Sequence, residues 1–144
     1  MQPIDSKIST ASAAFKANRE GMLALIAELR ALETKTRETS AKAKPLFDKR
    51  GQLLPRERIA RLLDPGAPWL ELSSIAGYRF AEAETSMPGG GMISGIGYVL
   101  RVRSVVVASD SGIDAGAIQP MGREKLMRAQ ELALANKLPF VHLV

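Results

Sequence analysis

Apolar residues follow two different periods along this chain. In the first third they recur every three or four residues. Met22, Leu25, Ile26, Leu29 and Leu32 form one stripe at helical spacing, and the pattern predicts a helix over residues 8–40. Glu33 and Arg37 stand four apart, a favourable pairing on a helix surface. From Lys35 to Lys44 the stripe gives way to Lys, Thr and Ser, so this end is expected to be exposed or frayed. A helix this long, with little sequence to cover it, reads as a partner surface or a clamp over the main body.

A second, short helix is predicted from Leu54-Pro55, with proline in the first turn. It turns Ile59, Leu62 and Leu63 inward, and Asp64-Pro65-Gly66 stops it. Trp69-Leu70-Glu71-Leu72 reads as a short strand, and residues 77–90 as a loop ending Met87-Pro88-Gly89-Gly90. The period then changes. Met92–Leu100 and Ser104–Ala108 read as strands joined by a turn at Arg101-Val102-Arg103. Val105-Val106-Val107-Ala108 is continuously apolar and β-branched, the mark of a strand buried on both faces. A loop, Ser109–Gln119, leads into a helix over Pro120–Asn136 with Leu126, Ala129 and Ala133 on one side. The last strand, Phe140–Val144, is expected parallel to Val105–Ala108 through a right-handed crossover. An α/β chain ending on such a strand is expected to be the front part of something larger, because α/β folds place their chemistry beyond the carboxyl ends of strands.

Composition narrows the class. With 144 residues, 46% hydrophobic and 24% charged, the chain is long enough for one packed domain. It lacks cysteine, which excludes disulfides, thiolate zinc sites and a cysteine nucleophile. No run approaches the roughly 18 consecutive apolar residues of a membrane span, and the N-terminus lacks a signal-peptide layout. A cytoplasmic protein with no membrane partner is the expectation. The net charge of +5 lies in the front: residues 1–64 hold 13 Lys/Arg against 8 Asp/Glu, whereas residues 65–144 hold 7 of each. Such asymmetry can mark a polyanion partner. Here Lys and Arg alternate with Glu and no aromatics are interleaved, which favours a solvated helix face or a surface for an acidic subunit over nucleic acid.

Few motifs carry side-chain chemistry. Gly89-Gly90-Gly91-Met92-Ile93-Ser94 approaches a dinucleotide fingerprint, but that motif needs a strand before and a helix after, and here a loop precedes and a strand follows. The glycines are read as a tight entry into the strand, with Gly95 and Gly97 leaving room for a neighbouring backbone. Ser111 is not in a nucleophile elbow. His142, the single histidine, is read as a satisfied core or edge residue in preference to a buried base. Asp110 and Asp114 are read as turn formers in preference to metal ligands. The informative segment is Gly112–Pro120, a loop feeding a helix N-terminus whose free backbone N–H groups could receive a phosphate or an oxyanion. Arg123, Lys125 and Arg128 follow it, poorly placed for the helix dipole. Either an anionic ligand compensates them or they are solvated.

Several stretches together resemble the β (carboxyltransferase) subunits of biotin-dependent acyl-CoA carboxylases. They are Arg50-Gly51-Gln52-Leu53-Leu54-Pro55-Arg56-Glu57-Arg58-Ile59, Leu62-Leu63-Asp64-Pro65-Gly66, Leu70-Glu71-Leu72, Gly95-Ile96-Gly97, Val105-Val106-Val107-Ala108 and Ser109-Asp110. Arg128-Ala129-Gln130-Glu131-Leu132-Ala133 and Asn136-Lys137-Leu138-Pro139-Phe140-Val141 complete the set. The likeness begins near Phe15. It implies an α/β, partial ClpP/crotonase-like fold of ββα units, with residues 1–49 a helical extension and residues 50–144 the truncated beginning of the acyl-CoA carboxyltransferase N-terminal domain. It also implies that carboxylate passes from carboxybiotin to an acyl-CoA enolate held by backbone oxyanion holes, with no catalytic side chain and no metal. Biotin would come in trans, on an α subunit that also carries the biotin carboxylase, and further β subunits would complete a homo-oligomer.

The resemblance implies acyl-CoA contacts at Ser111, Gly112, Gly116, Ala117, Lys125 and Arg128. Family members commonly carry Lys-Gly-Gly where this chain has Asp114-Ala115-Gly116. The Ser111–Pro120 version is similar to the branch acting on methylcrotonyl- or geranyl-CoA. The small-residue loop that follows the last strand in the family, and supplies an oxyanion-hole amide, is not among these residues, and neither is a biotin-attachment Met-Lys-Met. The chain alone is therefore expected to be inactive. A non-catalytic assembly module built on the amphipathic helix is the alternative, and a related acyl-CoA hydratase or hydrolase a third.

Overall fold

The computed structural model describes residues 6–79 and 88–144. The chain divides into two compact units, residues 1–32 and 33–144. The division falls inside the first helix, α1 (Ala13–Ala41), upstream of the 49/50 boundary read from the sequence. In the first unit α1 begins five residues later than expected. Ser12 Oγ accepts a hydrogen bond from Phe15 N at 3.2 Å, the side-chain cap that starts a helix. Met22, Leu25 and Leu29 of its apolar stripe are exposed.

The second unit reverses the expectation for the helix end. Thr36 and Ser40, in the polar stretch read as exposed or frayed, are the buried residues of α1. They pack through hydrogen bonds, Thr36 Oγ1 donating to Pro88 O at 3.3 Å. A further short helix, α2 (Lys44–Lys49), follows with Phe47 buried, and then α3 (Pro55–Leu62). At the start of α3, Glu57 reaches back to accept from Leu54 N at 2.8 Å, one half of a capping box.

Four strands form one sheet in the order β1 (Leu70–Leu72), β2 (Met92–Val99), β3 (Val102–Ser109), β4 (Phe140–Leu143). The first two pairings are antiparallel. β4 lies parallel to β3 in the register Val105↔Phe140 to Ala108↔Leu143, as the pattern predicts. The crossover carries a 3-10 turn, Asp114–Gly116, and α4 (Pro120–Ala135). The β2–β3 turn is tighter than expected. Leu100 and Arg101 both take left-handed φ, 50° and 66°, which matches the strand twist, and Val102 joins the strand. Asp64 fastens this turn by accepting from Leu100 N and Arg101 N at 2.8 and 2.6 Å.

Alternation along β3 sends its side chains to opposite faces. Val105 and Val107 pack with Met92, Ala129 and Ala133 under α4, and Leu126 borders that cluster. Val106 and Ala108 pack with Ile93 and Ile59 under α3, with Leu62, Leu63 and Trp69 at the margin. Gly95 and Gly97 face Trp69. A side chain at Gly95 would overlap that ring and meet Leu70 O at 2.6 Å; at Gly97 it would meet Leu63 at 2.6 Å. The room they leave is filled chiefly by a tryptophan and a leucine, not by backbone alone. Within the triplet, Gly90 abuts the amide of Gly122, where a Cβ would stand 2.8 Å away. The triplet therefore brings two backbones together at the start of α4.

Candidate functional site

β3 and β4 run in the same direction, so their carboxyl ends open on one side of the sheet. A concavity of about 890 Å³ lies there, within the size range of small-molecule sites. α2 and the segment after it supply Leu46, Phe47, Arg50, Gln52 and Leu53; α3 supplies Arg58; the loop after β3 supplies Ser111, Gly112 and Ala115; and Val144 closes it. Arg50 and Arg58 are the charged lining residues and both are cationic. Arg58 Nη1 donates to Val144 O at 3.0 Å. Two guanidinium forks beside a loop are chemically suited to an anion, because the planar fork matches phosphate or carboxylate geometry.

The loop itself is more self-contained than a phosphate cradle. Ser111 N donates to Ser109 O, Ile113 N to Asp110 O and Gly116 N to Ile113 O, at 3.1, 2.8 and 3.0 Å. Gly112 N donates to Asp110 Oδ1 at 3.2 Å. Three amides that the sequence offered to a ligand, those of Gly112, Ile113 and Gly116, are thus engaged within the loop.

Beneath the loop runs a seam of polar groups, in which Ser40, Asp110 and Lys125 are buried and Arg56 and Glu71 partly buried. Asp110, 2% exposed, accepts at 2.6 Å from the hydroxyl of Ser40, 3% exposed. Arg56 makes a two-pronged pair with Glu71 at 2.9 and 2.8 Å, and Arg37 stands 3.5 Å from the same carboxylate. Lys125, 5% exposed, donates to Met92 O at 2.6 Å and Gly89 O at 3.3 Å. Burial pushes this ammonium down to about 8, against the opposing charges of Glu71 and Asp110. Burial pushes the Glu71 carboxyl up, but the Arg56 hydrogen bonds with the charges of Arg56, Arg37 and Lys125 outweigh it and hold it below its ordinary value. A cavity of about 10 Å³ sits among Arg56, Glu71, Asp110 and Lys125, close to the room one water needs. Among the described residues the Nε of Arg56 is buried without a hydrogen-bond partner.

The structure separates the six residues singled out for acyl-CoA. Ser111 and Gly112 line the concavity; Gly116 and Ala117 follow Ala115, which also lines it. Arg128 is on the surface, paired with Glu131 at 3.0 Å. Lys125 is buried, and its ammonium ties the end of the glycine triplet to α4. Helical spacing carried the signal: Lys125 precedes the buried Ala129 by one i,i+4 step. Arg50 and Arg58, which line the concavity, and Ser40, which holds Asp110, are not among the residues singled out from the sequence. The arginines stand in the motif that carried the resemblance, while nothing local marks Ser40. Asp110 is a buried anchor, and the side chain of Asp114 lies outside the described residues, as does the 80–87 part of the predicted loop. No group of three or more potential metal ligands occurs among the described residues. His142 lies on β4, edge-on to Phe140 at 6.3 Å, and among the described residues its Nε2 is buried without a hydrogen-bond partner, in contrast to the satisfied histidine expected. Among the described residues no helix is long and apolar enough to cross a membrane.

The carboxyl transferase domain model matches residues 48–144. A biotin-dependent 3-methylcrotonyl-coenzyme A carboxylase beta1 subunit of Mycobacterium tuberculosis is 50% identical over 95 residues, 66% of this chain and 18% of the relative. The methylcrotonoyl-CoA carboxylase beta chain of Arabidopsis thaliana, a mitochondrial protein, is 38% identical over 134 residues, 92% of this chain and 22% of its own length. The crystal structure of the P. aeruginosa geranyl-CoA carboxylase beta subunit superposes with a TM-score of 0.89 at 52% identity, covering 98% of this chain and 26% of that one. The chain therefore spans about a quarter or less of the proteins it matches. Its α/β fold is the partial crotonase-like one that the sequence implied, and the chain belongs to the carboxyl transferase domain family.

Proposed function

We propose that this chain is part of the carboxyltransferase (β) subunit of a biotin-dependent acyl-CoA carboxylase. Residues 50–144 would open the acyl-CoA-binding domain, with residues 1–49 a helical extension before it. The observation that carries this reading is the concavity beyond β3 and β4, whose charged lining residues are Arg50 and Arg58. Acyl-CoA is a polyanion by virtue of its phosphates, and paired guanidiniums are suited to hold them. Ser111 and Gly112 form the loop wall toward the acyl end, Gly116 and Ala117 extend it, and Arg128 stands outside at the rim. Likeness to the 3-methylcrotonyl- and geranyl-CoA enzymes supports a branched or terpenoid acyl group.

Carboxybiotin, presented in trans by an α subunit, would supply the activated carboxyl group. Further β copies complete the assembly, and the location is cytoplasmic. The chain's own residues bind and orient the thioester. Residues 1–144 alone are expected to bind a CoA thioester without carboxylating it. Calorimetric titration of the purified chain with 3-methylcrotonyl-CoA tests this reading. Arg50→Glu and Arg58→Glu are each expected to weaken binding at least tenfold. Unchanged affinity in both variants would remove the concavity from the account, and carboxylation turnover by residues 1–144 alone would contradict the partial-subunit reading.

The assembly-module reading keeps one observation of its own, the exposed Met22, Leu25 and Leu29 on α1. Light scattering on the Leu25→Glu/Leu29→Glu variant decides it: self-association that vanishes in the variant supports it, and a monomeric parent chain counts against it.

A further inference from the structure

Ser40 lies outside the segment matched by the carboxyl transferase model, yet it reaches the wall of the ligand concavity. Its hydroxyl donates to Asp110 Oδ1 at 2.6 Å, and that same oxygen accepts the amide of Gly112 at 3.2 Å. Both side chains are withdrawn from water, Ser40 at 3% and Asp110 at 2% exposure, where the local dielectric strengthens a charge-assisted hydrogen bond. The backbone of Asp110 is held as well, its N–H donating to Gly91 O at 2.9 Å. Contact reinforces the link. A Cβ on Gly112 would stand 2.6 Å from Ser40 Oγ and 2.7 Å from Ser40 O, so Gly112 rests directly on the last turn of α1.

We propose that Ser40 is a positioning residue for the ligand loop: through Asp110 it fixes Gly112 and Ser111, so that α1, and not the family-matched segment alone, shapes the wall of the concavity. The thioester bound there rests on the function proposed above; the positioning does not. Ser40 touches no reacting atom in this scheme. Its effect passes through a carboxylate that is one donor short when the hydroxyl is removed, which frees the loop to leave its bound geometry.

Ser40→Ala in the full 144-residue chain is the test, read by amide hydrogen exchange and by titration with coenzyme A. Exchange at Gly112 is expected to accelerate about tenfold while Val106, in the middle of β3, is unchanged, and coenzyme A is expected to bind about fivefold more weakly. Unchanged exchange at Gly112 overturns the proposal. So does equal acceleration at Gly112 and Val106, because the hydroxyl would then support the whole fold and not the loop. A parent chain that fails to bind coenzyme A would sink the acyl-CoA reading, while the exchange comparison would still decide the role of Ser40.

Discussion

Val105–Ala108 is fully buried, the seam formed by Arg56, Glu71, Asp110 and Lys125 is buried in part, and the two are held by opposite means. The strand is apolar on both faces and fully buried, so its stability comes from area removed from water and from close packing, which is non-directional. The seam contains two carboxylates and two cations, each matched to hydrogen-bond partners at specific distances. Desolvating charges is unfavourable, and such groups persist only when their pairing is nearly complete. The core therefore tolerates conservative change, whereas the seam defines one geometry. It is the seam that touches the ligand loop. The scaffold is apolar; the part that aims the site is polar.

Removing one partner from the seam is expected to have the largest effect. Glu71→Ala leaves Arg56 and Arg37 facing an empty position and should lower stability by about 3 kcal/mol, the low end of the range for a fully buried pair because Arg56 and Glu71 keep side-chain exposures of 30% and 13%, measured by urea unfolding. Replacing both members, Arg56→Met with Glu71→Leu, should recover much of that loss. Equal loss in the single and double variants would show that the pair is not acting as a unit.

Lys125 sharpens the contrast through pH. Its folded-state value of about 8 lies below the ordinary 10.5. Between those values the unfolded chain keeps the proton that the folded chain has lost, so the unfolded state binds more protons and stability rises with pH. The rise should total no more than about 3 kcal/mol across that window, and Lys125→Met should abolish it. A flat or falling stability curve from pH 8 to pH 10 in the parent chain would contradict the assignment.

The apolar region should respond less to a comparable truncation. Val107→Ala deletes two buried methyl groups and should cost about 2 kcal/mol, with the unfolding slope unchanged. A loss matching that of Glu71→Ala would erase the distinction drawn here. At the surface, Arg128→Ala removes an exposed i,i+3 pair with Glu131 and should change stability by less than about 0.5 kcal/mol. A larger change would place Arg128 in a role this geometry does not give it.

The same contrast explains what could be read from the sequence. The β2–β3 hairpin, α4, the parallel β4 and the inward faces of Ile59, Ala129 and Ala133 all follow from hydrophobic period, because the apolar core obeys that period. The seam does not. Charged and polar residues default to solvent, so the sequence pattern leaves Lys125 at the surface or on a ligand and the polar end of α1 exposed, although Lys125, Thr36 and Ser40 are all buried. α2 was missed for a related reason: Lys44–Lys49 is barely more than a turn, too short to show a period. The site was half legible. Ser111 and Gly112 follow from the loop before α4, but the engagement of the Gly112 amide depends on Asp110, which is held in turn by Ser40, 70 residues before it in sequence. Arg50 and Arg58 converge on the concavity only once α2, α3 and the end of β4 are packed.

The central claim is that a CoA thioester occupies the concavity at the carboxyl ends of β3 and β4. Amide chemical-shift mapping during titration of the chain with 3-methylcrotonyl-CoA tests it most directly. The account predicts saturable shifts clustered at Arg50–Leu53 and Ser111–Ala115, with little change at the β2–β3 turn. Shifts confined to α1 before Leu32, or none at millimolar ligand, would contradict it.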